Sequence, residues 1–423
     1  MKTGARRLAR NVVIAGAGAS CFGVFPKKTS RDLFLEAFLD AIRSVDKGLQ
    51  PADIEGLYLG NFASEVFEGQ SHLAPLMADW AGLAPIPSVR IEDACASSGA
   101  AFRQGVMAIA SGMCDVVVVA GVEKMTRMPT DGVTAALAMA ADDVFEVQQA
   151  GLTFPGAFGI IASAYLHRYG ASPEHLMRVA IKNHQNGALN PRAHFRATIR
   201  DTMKARAERM AQSGEPEPSW QDEMDFLRDD RVNPLVAWPL RLYDCSPISD
   251  GASCLVLAAE DVASDLTDHP VHVAGIGQAS GGPLASWDSL TSSPAVREAA
   301  RQAYTMAGVT AEDIDLAEVH DCFTIAEIVA TEDLGFFAPG EGALAVAEGM
   351  TARDGARPVN TSGGLKAKGH PVGATGAAQI VELWEQIRGQ AGPRQLPKQK
   401  PRYGLAQNLG GTGSTCVVTI LKG

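Results

Sequence analysis

Cys95 ends a short extended run and stands where a long amphipathic helix begins, in SVRIEDACASSGAAFRQGVMAIASG. A thiol there lies beside unpaired backbone N–H groups and the positive end of a helix dipole, both of which favour thiolate over thiol. Ala96, Ser97, Ser98 and Gly99 keep the approach narrow and unobstructed, which suits a nucleophile; a buried packing cysteine is the other reading. His370 sits between Gly369 and Pro371 in NTSGGLKAKGHPVGATG, just before a helix that begins near Ala374. An imidazole fixed in a glycine-rich turn at a helix entrance is a base with a defined direction. His320 and Cys322 follow the strand-like IDLAEVHD and precede the helical CFTIAEIVATEDLG. They therefore stand at a strand's C-terminal end, where open α/β sheets collect catalytic groups. Between the last two strand-like runs lies the tight turn Asn408-Leu409-Gly410-Gly411, whose glycines expose backbone N–H donors suited to an oxyanion. A thiol, two imidazoles, a second thiol and exposed amides are the parts of acyl transfer through sulfur.

The elements that must position these groups repeat. VVIAGAGAS at 12–20 echoes VHVAGIGQA at 271–279, an offset of 259 residues. Asp53-Ile54 and Asp313-Ile314, each leading into a strand, are offset by 260. Helical runs follow the first strand in both places, LFLEAFLDAIRSV and AVREAARQAYTMA. Constant spacing over unlike elements predicts an α/β chain of two halves with the same βαβ-type topology. In that register the turn at Cys95 corresponds to the turn at His370, so a nucleophile from one half and a base from the other meet across a pseudo-twofold axis. Between Gly121 and Asp250 the pattern loosens, and RDTMKARAERMAQSGEPEPSWQDEMDFLRDD reads as a solvated helix and loop laid over the sheet. SCLVLAA then closes the first half.

With 423 residues the chain is long enough for two compact halves, and 46% hydrophobic against 20% charged residues predicts a well-buried core. A net charge of −11 without a basic stripe argues against nucleic acid. Seven cysteines, none in a CxxC pair or at metal-ligand spacing, suit a reducing, cytoplasmic setting and imply no metal. The start, RRLARNVVIAGAGAS, mimics a signal peptide, but its short apolar core broken by glycines reads better as a first strand. No run approaches the roughly 20 apolar residues of a membrane span.

These segments together resemble the thiolase family. EDACASSGAAF is similar to its nucleophile loop, VHDCF to an HDCF variant, KGHPVGATG to its GHP loop and QNLGGTG to its final glycine loop. His320-Asp321-Cys322-Phe323 in place of Asn-Glu-Ala-Phe, together with GVEKMT, resembles the sterol-carrier-protein-2-type and archaeal-type branches. The resemblance implies a thiolase fold of two pseudo-symmetric mixed-sheet halves in a layered αβαβα arrangement. It divides the chain into an N-terminal half (1–121 with 249–262), a loop domain (122–248) and a C-terminal half (263–423). It implies thiolysis of 3-ketoacyl-CoA or Claisen condensation of acyl-CoAs through an acyl-Cys95 intermediate. His370 would be the base, His370 and a water held by His320 would surround the thioester oxygen, and the N–H groups of Cys95 and Gly410 would form the second oxyanion site. Asn408, Gly411 and Gly410 would then line the substrate. Asn408 stands where the family carries its second catalytic cysteine, and an amide does not titrate, so Cys322 is assigned the α-proton step, with a packed core thiol as the other reading. Coenzyme A is implied as substrate, with no cofactor held permanently. The implied partners are a second copy, as a homodimer or dimer of dimers, and a possible separate zinc-ribbon/OB-fold protein. A 3-ketoacyl synthase, a 3-hydroxy-3-methylglutaryl-CoA synthase-like enzyme, a thiolase-scaffold retro-aldolase and a non-catalytic lipid-binding scaffold are the competing readings; GHPVGATG speaks against the first two, Cys95 against the third, and the complete set of Cys95, His370, His320 and Cys322 against the last.

Overall fold

The computed structural model describes residues 7–398 and 400–423. Its strands are β1 (Val12–Ala19), β2 (Leu57–Gly60), β3 (Ser88–Ile91), β4 (Val116–Glu123), β5 (Leu235–Ala237), β6 (Leu240–Arg241), β7 (Gly251–Ala259), β8 (Val271–Ser280), β9 (Leu316–Glu318), β10 (Tyr403–Gly410) and β11 (Thr415–Lys422). β5 and β6 form a small hairpin; the others form one sheet in the order β3-β2-β4-β7-β1-β8-β11-β10-β9. The order from β1 outward, β7-β4-β2-β3, is mirrored from β8 outward by β11-β10-β9. Val359, bridged in parallel to Ala317, stands where the mirror image of β3 belongs. The internal repeat read from the sequence is therefore a repeat of strand order as well. What the repeat did not disclose is the join: β1 and β8 pair antiparallel through Val13 with His272 and Ile14 with Val271. Just past that contact β1 shifts register against β7 between Ile14 and Gly16, an irregularity of the kind that bends a strand.

Strands β1, β4, β7, β10 and β11 are buried on both faces, which is why they read as largely apolar runs rather than as alternating patterns. Along β7, Cys254, Val256 and Ala258 face the helix Ser30–Arg43, whose Leu33, Phe34, Ala37, Phe38 and Ala41 fall on one side. The intervening Leu255, Leu257 and Ala259 face the opposite way, into a cluster with Phe102 and Val106 of the helix Ser97–Ala110 and Ile380, Leu383 and Trp384 of the helix Thr375–Arg388. Val417 and Leu421 of β11 join that same central cluster, whereas Val418 and Ile420 pack outward against Ala299 and Ala303 of the helix Pro294–Ala307. The result is helix, half-sheet, paired central helices, half-sheet, helix, which is the layered arrangement the sequence resemblance implied. The outer helices lie close to their strands because glycines admit them: a Cβ on Gly18 would meet the backbone of Ala41, and one on Gly277 the backbone of Ala299.

Residues between β4 and β7 form the layer above the site, with helices Thr130–Ala138, Phe154–Tyr169, Pro173–Gly187, Ile199–Gln212 and Glu223–Arg228. The charged helix Ile199–Gln212 buries only Ile199 and Met210, in line with the solvated reading. The helix Pro173–Gly187 does the opposite, and anchors the layer to the second half. Lys182 Nζ donates to Val359 O (2.8 Å), Asn183 Nδ2 to Asp321 (2.7 Å) and Asn186 Nδ2 to Asn360 O (2.9 Å). Among the described residues no helix is long and apolar enough to cross a membrane.

Candidate active site

The two central helices start side by side, and the turns leading into them hold the chemistry. After β3 the chain makes a sharp turn in which Ala94 adopts φ +48°. A left-handed non-glycine residue costs about 1–3 kcal/mol and persists only where its surroundings over-determine it. Ser97 supplies that constraint: its Oγ donates to Ala94 O (2.6 Å) and accepts from Asp93 N (3.0 Å). Cys95 is thereby presented at the head of the helix Ser97–Ala110, only 8% exposed.

His370 reaches the same point from the other half. Gly363, Gly364 and Gly369 all adopt positive φ in its loop. The backbone N–H of His370 donates to Ser249 Oγ (3.3 Å), and Nδ1 lies 2.7 Å from Thr375 Oγ1, at the first residue of the following helix. His320 stands just beyond β9, with its N–H donating to Gln407 Oε1 (2.8 Å) and its Nδ1 3.3 Å from Asn408 Nδ2. Asn408 Nδ2 also donates to Cys95 O (3.0 Å). A Cys95 sulfur and one nitrogen from each imidazole lie within 4.8 Å of one another. The two rings stand edge to face, 5.0 Å between centroids at 86°. Cys322 is buried near enough for the two thiols to interact electrostatically.

Burial dominates the charge states here. It pushes the Cys95 thiol up to about 12, helped by the carboxylate of Glu123 and opposed by backbone N–H groups of Gly411 and Cys95 itself. This corrects the expectation of a resting thiolate, because the helix-terminus field is outweighed by the loss of water around the sulfur. His370 is driven down to about 3 by burial and then by the Lys368 ammonium. His320 falls well below the ordinary imidazole range through burial, His370 and Lys368. Burial, reinforced by Cys95 and Asp321, raises Cys322 well above an ordinary thiol. The cluster at rest is thus two protonated thiols and two neutral imidazoles.

All four predicted side chains converge. The glycine turn lies at the same place: Gly410 closes β10 opposite Thr415 in the β10–β11 ladder, and the backbone N–H of Gly411 favours the ionised form of Cys95. Asp321, inside the HDCF run, is a brace: its carboxylate accepts from Leu365 N (2.6 Å), Lys366 N (3.2 Å) and Asn183 Nδ2.

Several residues escaped sequence reasoning. Glu123 accepts from Phe62 N, Ala63 N, Asn61 Nδ2 and Gly373 N, tying the N-terminal half to the His370 loop, and burial lifts its carboxyl to about 7. The only signal was an acidic residue ending an otherwise apolar strand, in VVVVAGVE. Lys366 is 2% exposed, with its ammonium 5.9 Å and 5.8 Å from the ring centres of Phe195 and Tyr243. It borders a cavity of about 340 Å³ together with His194, Tyr243, Cys245 and Ser246. That cavity touches the His370 loop, because Ser249 Oγ, which accepts from His370 N, also lies 3.0 Å from His194 Nδ1. A second cavity of about 520 Å³ lies on the other side of the Cys95 turn, lined by Asp93, Ala94, Gly410 and Thr415 among others.

Comparison with known proteins agrees with this geometry. Residues 12–261 match the family described as thiolase, N-terminal domain, and residues 278–423 the family described as thiolase C-terminal domain-like. The chain is 45% identical over 98% of its length to an acetyl-CoA acetyltransferase of Methanothermobacter thermautotrophicus, all of which is covered. It superposes on the Ltp2-ChsH2(DUF35) aldolase with a TM-score of 0.76 at 25% identity, covering 99% of both chains. The human mitochondrial 3-ketoacyl-CoA thiolase in complex with CoA superposes with a TM-score of 0.69 at 18% identity over 98% of this chain and 99% of that one, a likeness of fold. Two matched domains spanning nearly the whole sequence, on a layered fold that brings a cysteine and two histidines together, make this chain a member of the thiolase family and an acyltransferase of that family.

Proposed function

We propose that the protein carries out thiolysis of 3-ketoacyl-CoA and the reverse Claisen condensation of acyl-CoAs through an acyl group held on Cys95. The observation that carries this reading is the approach of the Cys95 sulfur and two neutral imidazoles to within 4.8 Å. In condensation Cys95 Sγ attacks the thioester carbonyl carbon as His370 takes the thiol proton, and when the tetrahedral intermediate collapses CoA leaves as its thiol with that proton; in thiolysis Cys95 Sγ attacks the 3-keto carbon, the C2–C3 bond breaks to release the acyl-CoA carbanion, and the CoA thiol then takes the acyl group from Cys95. Base assistance is essential, since a thiol raised to about 12 is almost entirely protonated near neutral pH. The Cys95 N–H and the Gly410–Gly411 turn hold the oxyanion at the acyl-enzyme, while His320 serves the thioester oxygen of the second substrate. Removing one such donor typically costs about 3 kcal/mol of transition-state stabilisation. Cys322 exchanges the α-proton: in thiolysis it gives its proton to the departing acyl-CoA carbanion, and in condensation, once its own proton has passed to a neutral imidazole of the cluster, its thiolate takes one.

The cavity bordered by Lys366, Tyr243 and Ser246 admits the substrate arm beside His370, and residues 122–248 serve as the loop domain that walls it. In this reading the protein takes coenzyme A as substrate, holds no cofactor permanently, works in the cytoplasm and assembles as a homodimer or dimer of dimers. A separate zinc-ribbon/OB-fold partner is a further part of the reading, supported by a solved relative whose name pairs two components, Ltp2 and ChsH2(DUF35).

Incubation with radiolabelled acetyl-CoA tests the reading. The wild-type protein is expected to retain label after denaturation and Cys95→Ala to retain none. Label retained by a folded Cys95→Ala protein would contradict it.

A further inference from the structure

We infer that Asn408 sets the tautomer of His320, keeping its proton on Nε2 so that this imidazole is a hydrogen-bond donor in the site while His370 is the acceptor. The inference rests on the reading of Cys95, His320 and His370 as the reacting cluster, and it makes Asn408 a positioning residue.

A neutral imidazole has one N–H, and the partner of one nitrogen decides what the other can do. The partner of His320 Nδ1 is Asn408 Nδ2, at 3.3 Å. That side-chain amide has its direction fixed twice. Its Nδ2 donates to Cys95 O at 3.0 Å, and the opposite orientation would set two acceptor oxygens against each other. Its Oδ1 has no hydrogen-bond partner and is lodged against the first turns of both central helices, where a Cβ on either Gly99 or Gly376 would collide with it. Backbone N–H groups in a first helical turn lack intrahelical partners and carry partial positive charge, so an amide oxygen is favoured there and an NH2 group is not. With one Nδ2 hydrogen given to Cys95 O, the other points at His320 Nδ1, which must accept. The proton of His320 is therefore on Nε2.

His370 is arranged the other way. Thr375 Oγ1 donates its single proton to Pro371 O at 3.2 Å, so it accepts from His370 Nδ1 at 2.7 Å. That leaves the His370 Nε2 lone pair free. Both assignments follow from the bonding network. Two chemically identical side chains beside one thiol thus hold opposite tautomers: one can take the Cys95 proton, the other can donate to a carbonyl oxygen without itself being charged. Burial and the neighbouring Lys368 ammonium oppose a second cation, so fixing the tautomer is how His320 becomes a donor at all.

Long-range ¹H–¹⁵N correlation spectra of the full-length protein with ¹⁵N-labelled histidine read this directly, with His320 and His370 identified by signals lost in His320→Gln and His370→Gln. The wild-type spectrum is expected to show the Nε2–H pattern for His320 and the Nδ1–H pattern for His370. In Asn408→Asp a carboxylate faces Nδ1, so the His320 signals should move to the Nδ1–H pattern. kcat should then fall about 10²–10³-fold, the usual effect of losing one oxyanion donor, with KM changed only a few-fold. An Nδ1–H pattern for His320 in the wild-type protein would overturn the inference, whatever the variant does. So would Asn408→Asp that loses stability while His320 keeps its pattern, since that is a packing role. Neither spectrum depends on whether Cys95 carries the acyl group, so failure here is distinguishable from failure of the proposed reaction.

Discussion

At the scale of single residues, the resting cluster is uncharged, and its reactivity depends on proton transfer within it. Removing the acceptor should therefore slow every reaction of the sulfur. In His370→Ala, alkylation of Cys95 by iodoacetamide near neutral pH is expected to slow relative to wild type; an unchanged rate across roughly pH 6–9 would contradict the base assignment. Glu123 makes a second prediction. Its carboxyl titrates near 7 in the folded protein against 4.5 when exposed, because burial disfavours the charge. Between those values the folded chain keeps a proton the unfolded chain has released. The associated stability is full below about pH 4.5 and is lost as pH rises through about 7, by about 3 kcal/mol in all. The difference in unfolding free energy between wild type and Glu123→Gln should vary across that window and level off above it. A pH-independent difference in urea titrations would refute the assignment. Residue types at element ends, Cys95, His370 and His320, were legible in the sequence because local spacing fixes their direction. Glu123, Lys366 and Thr375 were not assigned roles, because what each touches comes from elements far away in the chain. The resting thiolate was misread for the same reason: a helix terminus is visible locally, whereas burial is a property of the whole fold.

At the scale of elements, the outer helices and central strands are spaced by glycines, and the two halves do this alike. Gly18→Ala and Gly277→Ala each force a methyl group into helix backbone, at Ala41 and Ala299. Each is expected to destabilise by about 1–3 kcal/mol in urea unfolding, the usual cost of overpacking. A loss at one site with none at the other would contradict equivalent packing in the two halves. The strands, the repeat and both central helices could be read beforehand, since βαβ spacing and helical periodicity are local signals. The β1–β8 join could not, because Val13–His272 and Ile14–Val271 are pairings between strands more than half the chain apart. The strand run at IDLAEVHD also proved longer on paper than β9, because Val319–Asp321 leave the ladder to hydrogen-bond with Asn360 and the loop before His370.

At the scale of the whole molecule, the halves are useful only together. Cys95 comes from the first, His370, His320 and Cys322 from the second, and Ser249, at the end of the intervening layer, hydrogen-bonds the His370 backbone. Self-association is the remaining expectation at this scale: light scattering should return a mass well above 44.5 kDa, and a value near 44.5 kDa at working concentration would contradict it. The central claim is that one sulfur carries the acyl group. Peptide mapping by mass spectrometry after brief exposure to acetyl-CoA and acid quenching tests it most directly. An acetyl group on the peptide containing Cys95, absent from those containing Cys322 and Cys245 and lost in Cys95→Ala, is the predicted result; acetylation of Cys322 or Cys245 with Cys95 unmodified would contradict it.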